Sequence, residues 1–176
     1  MNYLEHNEEN VNLKKLEAKF ISLDLYKNIH ESTIIACHDV FIKCSYNGQN
    51  GILLVKRLRE PAKDVFWPIG GRILRGIPTE ISLNKKVQNE CGLVLENIQF
   101  LGVARTFFEG EPFGHNSGTD TINLVYIAKG VGNITLDKLH TSPFIITKES
   151  YSKIREELPK YVQNFLDIID QKNLWD

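Results

Sequence analysis

Residues 70–93 read GGRILRGIPTEISLNKKVQNECGL, and this stretch decides the fold. A glycine pair opens it, where the backbone can turn sharply and approach a ligand with no side chain in the way. Thr79 is a candidate N-cap, residues 80–91 form the helix it starts, and Gly92 ends that helix. Lys86, Asn89 and Glu90 share one face of the helix, while Val87 and Cys91 fall beside them and point inward. A loop and helix of this form can present a backbone carbonyl and a carboxylate to one cation. Lys86 stands four residues before Glu90, so it can also pair with that carboxylate and compete with the cation.

The flanks read as strands and helices around this unit. Apolar residues Val11, Leu16, Phe20, Leu23 and Tyr26 recur at roughly helical spacing and predict a helical extension over about 8–27. Residues 32–45 and 51–57 alternate and β-branch as strands do, with a turn at Tyr46-Asn47-Gly48 between them. Residues 59–64 form a charged loop. Residues 98–107 and 121–128 predict two more strands around a polar, glycine-rich loop at 109–120. Residues 134–142 read as a connection, and about 148–171 as a C-terminal helix with an interruption at Pro159. The order implies an α/β (α+β) domain spanning 1–176, with a mixed sheet sandwiched between helices.

Composition narrows the function. The chain has 176 residues, 42% of them apolar, and a net charge of −1. That is enough chain for a core without disulfide or metal staples. A near-zero charge argues against a general grip on nucleic acid. No run approaches the ~18 apolar residues of a membrane span, and the polar start of the chain is unlike a signal peptide. Cys37, Cys44 and Cys91 are odd in number, widely spaced and free of any CxxC pair. They read as ordinary thiols of a reducing, cytoplasmic setting.

The stretch from Gly71 to Leu93 resembles the Nudix box, G-x5-E-x7-R-E-U-x-E-E-x-G-U, where U is aliphatic. Gly71 falls on its first glycine, Val87 on the inner aliphatic position, Glu90 on the last carboxylate and Gly92-Leu93 on the closing pair. Ile77 stands at the first Glu, Lys85-Lys86 at Arg-Glu and Asn89 at the first Glu of the E-E pair. Within the Nudix superfamily the chain is similar to the GDP-mannose mannosyl hydrolases, a branch that also lacks two box carboxylates. Cys37-His38-Asp39-Val40-Phe41 looks like the early strand of that branch. Lys56-Arg57 through Pro61-Ala62 to Gly70-Gly71-Arg72 matches its strand-loop-GGR segment, and Ser117-Gly118-Thr119-Asp120 its SGTD segment. The likeness covers roughly residues 32–145.

That resemblance implies an enzyme that hydrolyses a nucleoside diphosphate sugar, GDP-mannose-like, with Mg²⁺ or Mn²⁺, into sugar and nucleoside diphosphate. It implies that Glu90 and a Gly71 carbonyl hold the metal and that Asp39 binds the nucleotide sugar. It makes His140 the general base, an imidazole being able to exchange a proton near neutrality. Arg72 would clamp the diphosphate, since a guanidinium matches phosphate oxygens in pairs, and Arg57 and Arg59 would line the same mouth. Cleavage at the sugar carbon expels a good leaving group, so fewer metals are needed than for attack at phosphorus. Two positions depart from the branch: Leu139 stands where it carries a metal-ligating Gln, and Glu60 where it carries an Arg. Those departures leave open a module that binds a nucleotide or nucleotide sugar without cleaving it. They also leave open a Nudix pyrophosphohydrolase with another diphosphate substrate and carboxylates at Glu109 and Glu111. Family members often form homodimers, a use the end helices would also suit.

Overall fold

The structure is a computed structural model and describes residues 3–8 and 10–175. The strands are β1 (Ile35–Tyr46), β2 (Gln49–Arg57), β3 (Phe66–Trp67), β4 (Ile69–Arg72), β5 (Val94–Phe108), β6 (Thr119–Val131) and β7 (His140–Ile146). The helices are α1 (Leu23–Ser32), α2 (Thr79–Cys91), α3 (Lys148–Ile154) and α4 (Lys160–Gln171). The sheet runs β3-β2-β1-β6-β5, with β4 paired to β1 and β7 to β2. β1 and β6 are parallel and the other pairings are antiparallel. The sheet is therefore mixed, as the element order implied.

Strand alternation sends β1 side chains to two cores. Val40 and Ile42 pack with Leu83, Val87 and Cys91 of α2, whereas Phe41 packs with Val162, Phe165 and Leu166 of α4. Helices thus cover both faces. Leu83 and Val87 are fully buried, each worth about 1.5–3 kcal/mol of burial, and they fix the height of α2 over the sheet.

The extents depart from the sequence reading in two places. Instead of a helix over 8–27, a single 3-10 turn at Leu13–Lys15 is followed by an irregular segment and then α1. Ser22 caps α1 by accepting from the Leu25 N–H, which starts the helix about fifteen residues later than the apolar spacing suggested. Phe20, counted in that spacing, is exposed, and Glu9 of the same span lies outside the described residues. The second departure is β7, which begins inside the expected connection at 134–142. The C-terminal helix is divided as Pro159 implied, into α3, a 3-10 turn and α4.

Two details of the decisive stretch differ or sharpen. Pro78 rather than Thr79 precedes the helix, and the Glu5 carboxylate accepts from the Thr79 N–H and hydroxyl to satisfy the helix start. Gly70 lies directly opposite Asp39 in the β1–β4 ladder. A Cβ there would strike the Asp39 carboxylate and the His38 carbonyl, and would lie 2.8 Å from Asp39 Cα. Gly70→Ala is accordingly expected to cost about 1–3 kcal/mol in a urea titration; an unchanged midpoint would mean that β1 and β4 do not approach this closely.

Candidate functional site

A cleft of about 400 Å³ lies where β1, β2, β4, β6 and the C-terminal end of α2 meet. It gathers Asp39, Arg57, Arg59, Gly71, Arg72, Glu90 and His140, the residues singled out from the sequence. Their spread over a hundred positions is closed by strand register. Antiparallel pairing sets Asp39 against Gly70, His38 against Gly71 and Cys37 against Arg72, and sets Arg57 against His140.

The end of α2 holds the His140 edge of the cleft in place. Its last carbonyls have no partner within the helix; Glu90 O accepts from the Asp137 N–H at 2.9 Å and Cys91 O from the Thr135 N–H at 2.9 Å. Gly92 in the left-handed region, φ +76°, turns the chain away. The segment before β7 is thereby laid against Glu90. Asp137 Oδ1 accepts from the Leu139 N–H and lies 2.8 Å from His140 Nδ1. A carboxylate only accepts, so Nδ1 is the donor of this contact, and in the neutral ring the lone pair would lie on Nε2. His140 Nε2 stands 4.0 Å from Glu90 Oε2.

Asp39 lies deeper. Its Oδ2 accepts from Asn123 Nδ2 at 2.7 Å and from the Tyr161 hydroxyl at 2.6 Å. Burial pushes its carboxyl up to about 6, against the pull of those two hydrogen bonds and of Arg57. Its neighbour His38 points the other way, toward α2, where Nε2 meets Ser82 Oγ at 2.9 Å. Burial lowers His38 to about 4, so it is neutral and belongs to the core beneath α2.

One wall is made by α1 and the loop between β5 and β6. Tyr26 of α1 lies under the Arg72 guanidinium at 4.4 Å, a cation–π contact that holds the Arg at the mouth. His30 Nδ1 meets His115 Nε2 at 2.8 Å, and Lys27 Nζ donates to Gly114 O. Glu111 folds that loop by accepting from the Phe113, Gly114 and Asn116 N–H groups. Glu111 is thus committed to the loop, and Glu109 is exposed and outside the cleft lining.

Arg57, Arg59, Arg72 and Lys86 line the cleft against Asp39, Glu60 and Glu90, a small cationic excess. Among the described residues Arg57, Arg59 and Arg72 make no ion pair, while Lys86 Nζ binds Glu90 Oε1 at 2.8 Å. Unpaired guanidiniums around one cavity suit an anion with several oxygens.

The metal implied by the resemblance can be tested against these groups. Glu90, Asp137 and His140 bring ligand atoms within 4.8 Å of one another, a set that can hold an ion. Glu90 Oε2 is buried without a partner, the one oxygen that calls for a further contact here. Mg²⁺ is octahedral, keeps several waters and draws one or two carboxylates from the protein beside substrate phosphates. Glu90 Oε1 is taken by an ammonium, Asp137 by the imidazole, and Leu139 offers no donor. Ile77 supplies none either, and Asn89 is exposed outside the cleft lining. In this arrangement the Lys86 ammonium stands where a cation would share Glu90, so the site favours the ammonium over a magnesium ion while Lys86 stays in place.

Sequence reasoning missed four members of the site. Asp137 had a local signal, an acid three residues before His140. Asn123, Tyr161 and Tyr26 had none, since long-range packing alone brings them to Asp39 and Arg72. Phe66 and Trp67 are packing residues: Trp67 is buried and stacks on Tyr161 at 4.5 Å.

No protein-family model matches the chain, and no curated protein matches it in sequence. Solved structures do. A MutT Nudix hydrolase from Burkholderia pseudomallei superposes with a TM-score of 0.58 at 18% identity, over 78% of this chain and 99% of that one. A Nudix hydrolase from Nitrosomonas europaea gives 0.61 at 11% identity, over 80% and 90%. The Nudix domain of Shewanella oneidensis NrtR, solved with ADP-ribose, gives 0.56 at 14% identity, over 81% and 88%. With the loop, helix and sheet already described, these likenesses establish that the chain has the Nudix fold.

Proposed function

We propose that the protein hydrolyses a nucleoside diphosphate sugar, GDP-mannose-like, by attack of water at the anomeric carbon, releasing free sugar and nucleoside diphosphate. The Asp137–His140 pair, opening on a cleft of unpaired guanidiniums, carries this reading. Asp137 fixes the tautomer, so His140 Nε2 is the atom that accepts the water proton. Glu90, 4.0 Å away, faces the positive charge His140 then acquires. Arg57, Arg59 and Arg72 neutralise the diphosphate as it leaves, a stabilisation that grows as the C–O bond breaks. Asp39, at the cleft floor, is placed to bond a ligand hydroxyl. The Mg²⁺ or Mn²⁺ of the resemblance is given no step here, because Lys86 holds Glu90 Oε1 in the arrangement described. The free thiols of Cys37, Cys44 and Cys91 support a cytoplasmic setting.

A second reading has its own observation. The Lys86–Glu90 pair blocks the carboxylate that the Nudix box uses, which favours a module that binds a nucleotide without cleaving it. Hydrolysis of a panel of nucleotide sugars in ¹⁸O-labelled water separates the two. We expect free sugar carrying the label. Label in the nucleotide phosphate would move the reaction to phosphorus, and nucleotide binding without turnover would leave the binding module.

A further inference from the structure

Lys86 occupies the ground that a metal ion would need. Its ammonium lies 2.8 Å from Glu90 Oε1. Its stem crosses Gly71, where an added Cβ would come within 2.9 Å of Lys86 Cε and 3.1 Å of Nζ. Gly71 and Glu90 are the two residues to which the box resemblance assigns the cation. The side chain is about one-third exposed, at 35%, and lines the cleft. One of its three donors is spent on Glu90, and the other two can reach a ligand from the cleft wall.

We propose that Lys86 is the site's own cation: held between Gly71 and Glu90, its ammonium binds the ligand's diphosphate in place of a divalent ion, so that binding needs no metal. This rests on the reading of the cleft as a diphosphate site. The charge balance is consistent with it. One ammonium carries half the charge of a divalent ion, and Arg57, Arg59 and Arg72, without ion pairs among the described residues, supply the remainder. Lysine serves phosphate as a point charge, whereas the flanking arginines add directional pairs of bonds. Glu90 then has a structural duty, holding the ammonium over Gly71. Departure of a diphosphate from carbon requires charge neutralisation only, and no group that activates phosphorus.

The test is a calorimetric titration of the full chain with inorganic diphosphate, GDP and ADP, in EDTA and again in excess Mg²⁺. We expect the tightest of these ligands to bind in EDTA with an affinity within about threefold of that in Mg²⁺. Lys86→Met, which keeps most of the stem, should weaken it at least about tenfold in EDTA, and Lys86→Arg should restore most of the loss. Lys86→Glu should lose metal-free binding and gain Mn²⁺ binding, read directly by the electron spin resonance of the free ion. A far-ultraviolet spectrum and melting curve matching the wild type confirm that each variant folds. Binding that vanishes in EDTA and returns with Mg²⁺ overturns the proposal, as does a Lys86→Met protein that binds like the wild type. So does tight Mn²⁺ binding to the unaltered chain. Metal-free diphosphate binding with no sugar released from any nucleotide sugar leaves this proposal standing and removes the hydrolase reading.

Discussion

His140→Ala should release sugar about 10²–10⁴-fold more slowly than the wild type, the usual contribution of a placed general base. The expectation follows from bonding on both sides of the ring. Asp137 Oδ1 at Nδ1 leaves Nε2 as the sole basic atom of the imidazole, and main-chain bonds from α2 fix the carboxylate that does so. Alanine removes the proton acceptor and leaves Asp137 too far back to replace it. Asp137→Asn should give a smaller loss, because an amide can also donate and no longer enforces one tautomer. The loss in His140→Ala should appear in kcat with little change in KM, as the imidazole acts on water rather than on the diphosphate. A rate within about threefold of the wild type would assign His140 no part in the reaction.

The second large effect is on stability. In the folded chain burial pushes the Asp39 carboxyl up to about 6, from the ordinary 3.8. The folded state therefore holds this proton to higher pH than the unfolded state does. Its stabilising contribution is complete below about 4 and is lost as pH rises through about 6. At about 1.4 kcal/mol per pH unit, the interval from 3.8 to about 6 corresponds to about 3 kcal/mol. Asp39→Asn has no such titration. We expect the wild type to lose about 2 kcal/mol relative to Asp39→Asn between pH 4 and pH 8, measured by urea unfolding at each pH. Parallel stability curves for the two proteins would show that the Asp39 carboxylate is ionised in the fold at no cost.

The parts of the fold that were legible are those written in local chemistry. The α2 helix and its Gly92 stop needed only an i, i+4 face and a terminating glycine, and they came out within a residue or two, whereas Gly70-Gly71, expected as a turn, lie in the strand β4, and Thr79 is not the cap. The Lys86–Glu90 pair was visible for the same reason. β7 was hidden because its sequence, HTSPFII, carries Pro143 and a Ser142 with φ +51°, both turn signals. Its strand character comes from pairing with β2, which sequence does not display. The start of α1 was hidden by apolar residues that are not buried. Phe20 sits at helical spacing yet is exposed, so periodicity counted a position that packs against nothing. Of the cleft, the residues carried by motif were found, and those recruited across the fold by α1, β6 and α4 were not.

The aim of the imidazole depends on the carbonyls of Glu90 and Cys91, which bind the amides of Asp137 and Thr135. Every amino acid has a main-chain carbonyl, so this alignment carries no demand on the side chains of the helix. A helix exchanging its acids for lysine or asparagine keeps the same grip on the segment that leads into β7. Sequence drift along 77–89 and retention of a working proton acceptor are therefore compatible. The two features a pattern search weighs together, an acidic helix and the chemistry beside it, are separable by mutation in a protein built this way.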